Sequence, residues 1–312
     1  MNEESKENLL FELLSHFLIE ECSVGKITAI RIATRFCTLS EFLGFNFENL
    51  PNIKSEGGRK LFRISKQHIE NIQSAVNLNK LDQNKSVQEN YLMSIGRVFV
   101  STQIKNISEI TLEILNPNPF LINALNFKDV NKFIGFIVFQ RATRSIVTSF
   151  GFAFEKLLVA SGAKKLPKGF DVLKEISNIE HYIQVKSGTS DMDKDQIIHW
   201  KGLIEEKEEE GHNAYIGMPY GKRDGHGLTI ALMRQYLPDW EARTLIGQEL
   251  WDFISGENNY HEIVLKNLRI AATQILRKES IIVSIDKAIE KVSLEFIEKY
   301  NDDINAYISS LF

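Results

Sequence analysis

Cysteine is scarce: Cys22 and Cys37 are the only two in 312 residues, fifteen positions apart, with no histidine at ligand spacing. That excludes a disulfide framework and leaves a structural zinc site without donors, so both are expected as free thiols. Long apolar runs are also missing. The longest strongly apolar stretch, 133–139, is bounded by Lys132 and Gln140, far short of the ~20 residues that cross a bilayer, and no membrane partner is expected. The first twenty residues carry Glu3, Glu4, Lys6, Glu7 and Glu12, unlike the basic start and apolar centre of a secretory signal, so the expected location is cytoplasmic. Positive charge is not in excess: 37 Lys and Arg face 41 Asp and Glu, a net charge of −4. Such a chain does not coat nucleic acid indiscriminately, although the sum says little about any one face. With six prolines and 43% hydrophobic residues, most of the chain is expected to fold, as two or three packed units.

Four segments are expected. Residues 1–76 read as short helices: Leu9, Leu10, Leu13, Leu14, Phe17 and Leu18 form one stripe over 5–21, a second helix covers 27–36, and a third covers 40–45 with Ser40 as its cap. Residues 77–127 read as linker and connecting region, with a strand admitted at 98–100 and a break at Asn116-Pro117-Asn118-Pro119. In 128–244 two consecutive helices interrupted near Gly151 precede an α/β stretch. Short strands at 170–173 and 181–185 flank a turn at Ser177-Asn178, followed by a helix over 194–210 and a strand over 214–218. The last segment, 245–312, reads as helical throughout, including 281–300.

The α/β stretch carries the chemistry. Asp171 lies in one apolar run, and Gln184, Val185 and Lys186 end another after twelve intervening residues. Side chains alternate along a strand, so Gln184 and Lys186 share a face while Val185 is expected in the core. In a hairpin Asp171 reaches that same face, and Glu155, on the preceding helix, offers a second carboxylate. Two carboxylates and an amide oxygen suit Mg²⁺, and a lysine beside them polarises water and offsets charge on phosphorus.

These residues resemble the PD-(D/E)XK nuclease core, and their surroundings resemble a type II restriction endonuclease. The likeness rests on Gly151-Phe152-Ala153-Phe154-Glu155, Gly169-Phe170-Asp171, Gln184-Val185-Lys186-Ser187-Gly188, the run from Asp193 to Trp200, and Tyr215-Ile216-Gly217-Met218-Pro219-Tyr220-Gly221. It spans about a third of the chain. Phe170 stands where the motif has proline, and Gln184 where it has Asp or Glu. The resemblance implies Asp171 as central metal ligand, Gln184 as second-strand ligand, Lys186 as catalytic lysine and Glu155 as accessory ligand. The implied fold is α/β, mostly helical overall, with a small mixed sheet flanked by helices and an N-terminal helical DNA-binding domain.

That N-terminal domain has its own pattern. Val24-Gly25-Lys26-Ile27-Thr28-Ala29-Ile30-Arg31-Ile32-Ala33 resembles a helix-hairpin-helix element, and residues 50–61, with Lys54, Arg59 and Lys60, resemble a degenerate second copy. Residues 23–66 hold eight basic side chains against three acidic ones, a local excess the whole-chain charge conceals. Such contacts position a protein on phosphates without reading sequence. Arg141, Arg144, Lys222 and Arg223 are further candidates for DNA contact. His181, His199, His212 and His226 are scattered, which argues against a histidine-metal site, and the glycines at 217–227 lack the spacing of a phosphate-binding loop.

The expected function is Mg²⁺-dependent cleavage of double-stranded DNA at a specific sequence by a homodimer, with the helices after residue 245 as an interface. Two alternatives stand beside it: a structure-specific repair or recombination nuclease, and a non-catalytic DNA-binding protein in which Gln184 marks a decayed site.

Overall fold

The computed structural model describes residues 3–53, 61–188, 192–225, 227–277 and 279–312. It is mostly helical and holds, among the described residues, one mixed five-stranded sheet. No described helix is long and apolar enough to cross a membrane. Both cysteines are free, Cys22 buried and Cys37 exposed.

The chain divides into two compact units. One comprises Met1–Val98 and Gly151–Ala271, the other Phe99–Phe150 and Ala272–Phe312. Three helices contribute residues to both units: α5 (Val87–Ser108), α7 (Val130–Ala160) and α11 (Tyr260–Leu276). The strand admitted at 98–100 lies inside α5, where β-branched residues are tolerated at small cost. The break expected near Gly151 is likewise absent: α7 continues for 31 residues, because one glycine costs a helix only about 1 kcal/mol and the apolar spacing persists through it.

In the first unit, the N-terminal helices are α1 (Glu3–His16), α2 (Lys26–Ala33), α3 (Leu39–Leu43) and α4 (Lys66–Asn77). The cap of α3 is Thr38 rather than Ser40. Its side chain accepts from the Glu41 N–H while Glu41 reaches back to the Thr38 N–H, a reciprocal capping box. A π turn at Phe17–Glu21 follows α1 and places Glu21 inside the protein. There Glu21 accepts from Ser94 Oγ at 2.6 Å, from Arg97 Nε at 3.0 Å and from Arg97 Nη2 at 2.7 Å. Gly96, on the same helix as Arg97, lets α5 approach α11 closely, since a Cβ there would lie 2.8 Å from that of Ala271.

The sheet occupies the rest of this unit. Strands β1 (Lys164–Lys165), β2 (Val172–Ile176) and β3 (Ile179–Val185) are antiparallel. Strands β4 (Asn213–Met218) and β5 (Thr244–Ile246) join parallel to β3 and β4 in turn. The β2–β3 turn is two residues long, with Ser177 at φ 52° and Asn178 at φ 66°, the left-handed pair that matches strand twist in a tight hairpin. Parallel pairing requires crossovers, and helices α8 (Lys194–Glu209) and α9 (Leu228–Tyr236) supply them. Ile197, Ile204, Ile230 and Met233 of those helices pack on Ala214, Ile216 and Met218. On the opposite face Gly217 admits Ile183 and Leu250 of α10 (Gln248–Ser255): a Cβ at Gly217 would sit 2.7 Å from Ile183 Cγ2.

The second unit is helical among its described residues. It contains α6 (Pro119–Leu125), α12 (Ile281–Tyr300) and α13 (Ile304–Ser309) beside its shares of α5, α7 and α11. Asn118 caps α6, accepting from the Phe120 and Leu121 N–H groups. Phe133, Phe296 and Tyr307 meet edge to face at the centre of its core.

The side chains of Glu21 and Arg97 are 4% and 3% exposed, and Lys80 lies 3.6 Å from the same carboxylate, so removing Arg97 leaves a buried charge with Lys80 and Ser94 alone. Arg97→Ala is expected to cost about 3 kcal/mol, measured by denaturant unfolding. A loss below ~1 kcal/mol would contradict the assignment of this pair as a stabilising anchor.

Candidate active site

The hairpin register builds the site. Val172 lies opposite Ile183, and the ladder continues one step further, where the Asp171 N–H donates to the Ile183 carbonyl at 3.1 Å. Asp171 is thereby brought beside Gln184. Its Oδ2 accepts from Gln184 Nε2 at 2.5 Å and from the Val185 N–H at 2.8 Å. On the other side, the Leu166 N–H donates to the Asp171 carbonyl at 3.1 Å. The backbone of Asp171 is thus fixed by main chain on both flanks, and its carboxylate by Val185 and Gln184 on one.

Lys186 follows on the face it shares with Gln184. Its N–H donates to the Gly217 carbonyl at 2.8 Å, extending the parallel pairing past the end of β3. Its Nζ lies 5.7 Å from the ring centroid of Trp200 on α8, a distance at which the ring's negative face attracts a cation. Asp193 caps α8 through the Gln196 N–H and so sets where Trp200 falls. The side-chain alternation differs in detail from expectation: Ile183 is the fully buried member of β3, Val185 is only half-buried, and Gln184 is 8% exposed. The reason is that α8 and α9 cover one face of the sheet and α10 the other, so neither face is simply solvent.

Glu155 arrives from the last turns of α7, half-buried, and accepts from Lys165 Nζ at 3.0 Å. Its charge reaches Asp171. Burial holds the Asp171 carboxyl above the usual carboxylate range. The Val185 N–H opposes this, Glu155 adds to it, and Lys186 and Lys165 work against it. Asp171, Gln184, Lys186 and Glu155 are therefore one electrostatic group. Lys165 joins them without having been foreseen, since nothing in a lysine ten positions beyond Glu155 signals contact with it. Trp200 is the other unforeseen neighbour.

The donor chemistry fits a hard divalent cation: two carboxylates and a primary amide whose oxygen becomes available by a half-turn about its last bond. The set holds only two carboxylates. Among the described residues no group of three or more His, Cys, Asp or Glu gathers at metal-binding distances.

The remaining candidates are dispersed. Gly25, Lys26 and Arg31 are exposed, with Gly25 at the N-terminus of α2 and no side chain capping it. Lys54, Arg59 and Lys60 lie outside the described residues, as does His226. Arg141 and Arg144 are exposed on the part of α7 that belongs to the second unit. Lys222 is exposed. Arg223 differs from expectation: its guanidinium pairs with Glu249, donates to the carbonyls of Glu241 and Thr244 and to Thr244 Oγ1, and stacks on Trp240. A planar fork with its donors so committed clamps the loop after β4 and is not available to a DNA phosphate.

The sequence model of the family described as Type II restriction endonuclease EcoO109I matches residues 84–275, well over half of the chain. Glu155, Asp171, Gln184 and Lys186 all lie within that match, and α1 to α4 lie before it. No curated protein matches the chain.

Asp171→Asn retains an acceptor for the Val185 N–H but removes the charge. Because the folded-state carboxyl is held above its unfolded value, its ionised form costs stability at neutral pH, and that cost vanishes once both states are protonated. The variant is expected to melt at a higher temperature than the parent at about pH 7–8, with the two converging toward about pH 4. A difference independent of pH in thermal melts would count against the electrostatic description.

Proposed function

The chain belongs to the type II restriction endonuclease EcoO109I family, and we propose that its phosphodiester chemistry is carried by Asp171, Gln184, Lys186 and Glu155 on a PD-(D/E)XK core. As a member it is a sequence-specific endodeoxyribonuclease; its substrate is DNA, and restriction endonucleases generally use a divalent metal. The observation that carries the site assignment is the contact of Asp171 with Gln184 across the extended β2–β3 ladder, with Lys186 two residues further along on the same face.

In this reading Asp171 and Glu155 supply the negative charge that holds Mg²⁺, and Gln184 turns its amide oxygen inward as a neutral third donor. The ion, when bound, supplies Lewis-acid stabilisation of the scissile phosphate. Lys186, steadied over Trp200, polarises the attacking water and offsets charge developing on the phosphoryl oxygens during in-line attack. The order antiparallel hairpin, α8 crossover, parallel β4 agrees with the core named by the motif. Gln184 in place of a carboxylate gives a site with one negative charge fewer, so weaker metal binding is expected than in an all-carboxylate set.

The N-terminal helices are assigned the role of a phosphate-binding module of helix-hairpin-helix type. The N–H groups that open α2 have no side-chain cap, which suits an anion, and Lys26 and Arg31 are exposed on the same helix. Lys222, Arg141 and Arg144 are assigned as further phosphate contacts. Cutting both strands calls for two sites, so the enzyme is taken to act as a cytoplasmic homodimer through helices after residue 245. Leu294 and Ile297, exposed one turn apart on α12, favour that surface.

Lys186→Ala should lower plasmid cleavage in Mg²⁺ by at least ~100-fold while leaving duplex binding nearly intact. Unchanged cleavage would reject the site. Reversing charge at both Lys26 and Arg31 should weaken duplex binding uniformly across sequences and flatten the log–log salt slope by about 2. A slope unmoved by the double reversal would remove the phosphate-binding role of α2.

A further inference from the structure

Edge strand β1 presents two lysines in succession, and strand alternation sends them to opposite faces. Lys164 pairs with Glu175 at 3.5 Å, away from the site. Lys165 turns to the site and pairs with Glu155 at 3.0 Å. Its placement is not accidental to the hairpin: Lys165 lies opposite Val172, and the next residue, Leu166, is bonded through its N–H to the Asp171 carbonyl. The backbone that fixes Asp171 therefore also fixes the root of Lys165. The two ends of the ion pair differ in freedom, however. The Lys165 side chain is 63% exposed and that of Glu155 only 23%, so the ammonium can swing into solvent on its flexible stem while the carboxylate stays.

We propose that Lys165 is a positioning residue that acts as a stand-in cation, holding the Glu155 carboxylate toward Asp171 and competing with the divalent ion for it. The argument is geometric and electrostatic. Asp171, just before β2, and Glu155, on α7, repel each other, and a cation beside them offsets that repulsion. Lys165 supplies that cation from within the chain, and its charge also reaches Asp171. A divalent ion entering the site must draw Glu155 away from this ammonium. The free protein is thereby kept from binding metal strongly, and the released ammonium becomes available to an incoming phosphate, a second anion it can pair with.

This inference rests on the assignment of Asp171 and Glu155 as metal ligands, and the experiment separates the two. Mg²⁺ binding to DNA-free protein is measured by calorimetry for the parent, Lys165→Met, Lys165→Arg and Asp171→Asn, with thermal melts to establish folding. Lys165→Met is expected to bind Mg²⁺ about fivefold more tightly than the parent, and Lys165→Arg, which restores the charge, to return to parental affinity. A lysine that served only to brace Glu155 gives the opposite sign, with Lys165→Met binding more weakly, and that result or no change overturns the proposal. Asp171→Asn must abolish this binding in either case. If Mg²⁺ still binds that variant with parental affinity, the ligand assignment itself has failed, independently of Lys165.

Discussion

One contact organises the site: the carboxylate of Asp171 set against the amide of Gln184 across an antiparallel ladder. Everything chemical in the first unit is placed relative to it. The two-residue turn at Ser177 and Asn178 fixes the register, and a slip of one residue would send Gln184 and Lys186 to the other face of the sheet. Main-chain bonds then hold Asp171 from both sides, through Ile183 and Val185 on β3 and through Leu166 beyond β1. The candidate site is carried on strands and one long helix rather than on free loops, the arrangement that holds side chains most precisely.

The site is also electrostatically costly. A half-buried carboxylate beside a second carboxylate is unfavourable, and the fold offsets this with a main-chain N–H and two lysines. Lys186 is itself positioned by Trp200, so helix α8 serves both as the crossover that makes β4 parallel to β3 and as the support of the lysine. Tertiary architecture and the placement of charge are here one construction.

Much of this was legible in the chain. Ser177-Asn178 marked the hairpin, because few residues other than glycine accept left-handed φ as readily as Asn. The helix over 194–210 was readable, and the spacing of Asp171, Gln184 and Lys186 marked the constellation. What stayed hidden has physical causes. Strand β5 is three residues long, too short for alternation to show in the chain. Helix α7 runs through Gly151 because helix termination needs more than one weak residue. Thr38 outcompetes Ser40 as the α3 cap because Glu41 stands at the reciprocal position. The roles of Arg223 and Lys165 depend on partners 26 and 10 residues away. A side chain's composition says that it is charged, not which charge it will meet.

The central claim, that Asp171, Glu155 and Gln184 hold one divalent ion beside Lys186, is tested most directly by soaking crystals in Mn²⁺ and recording its anomalous scattering. The account predicts a peak within ligand distance of the Asp171 and Glu155 carboxylates, with the Gln184 amide turned so that its oxygen faces the ion. A strong peak at other carboxylates with none between these two, or a Gln184 amide nitrogen still donating to Asp171 beside a bound ion, would contradict it.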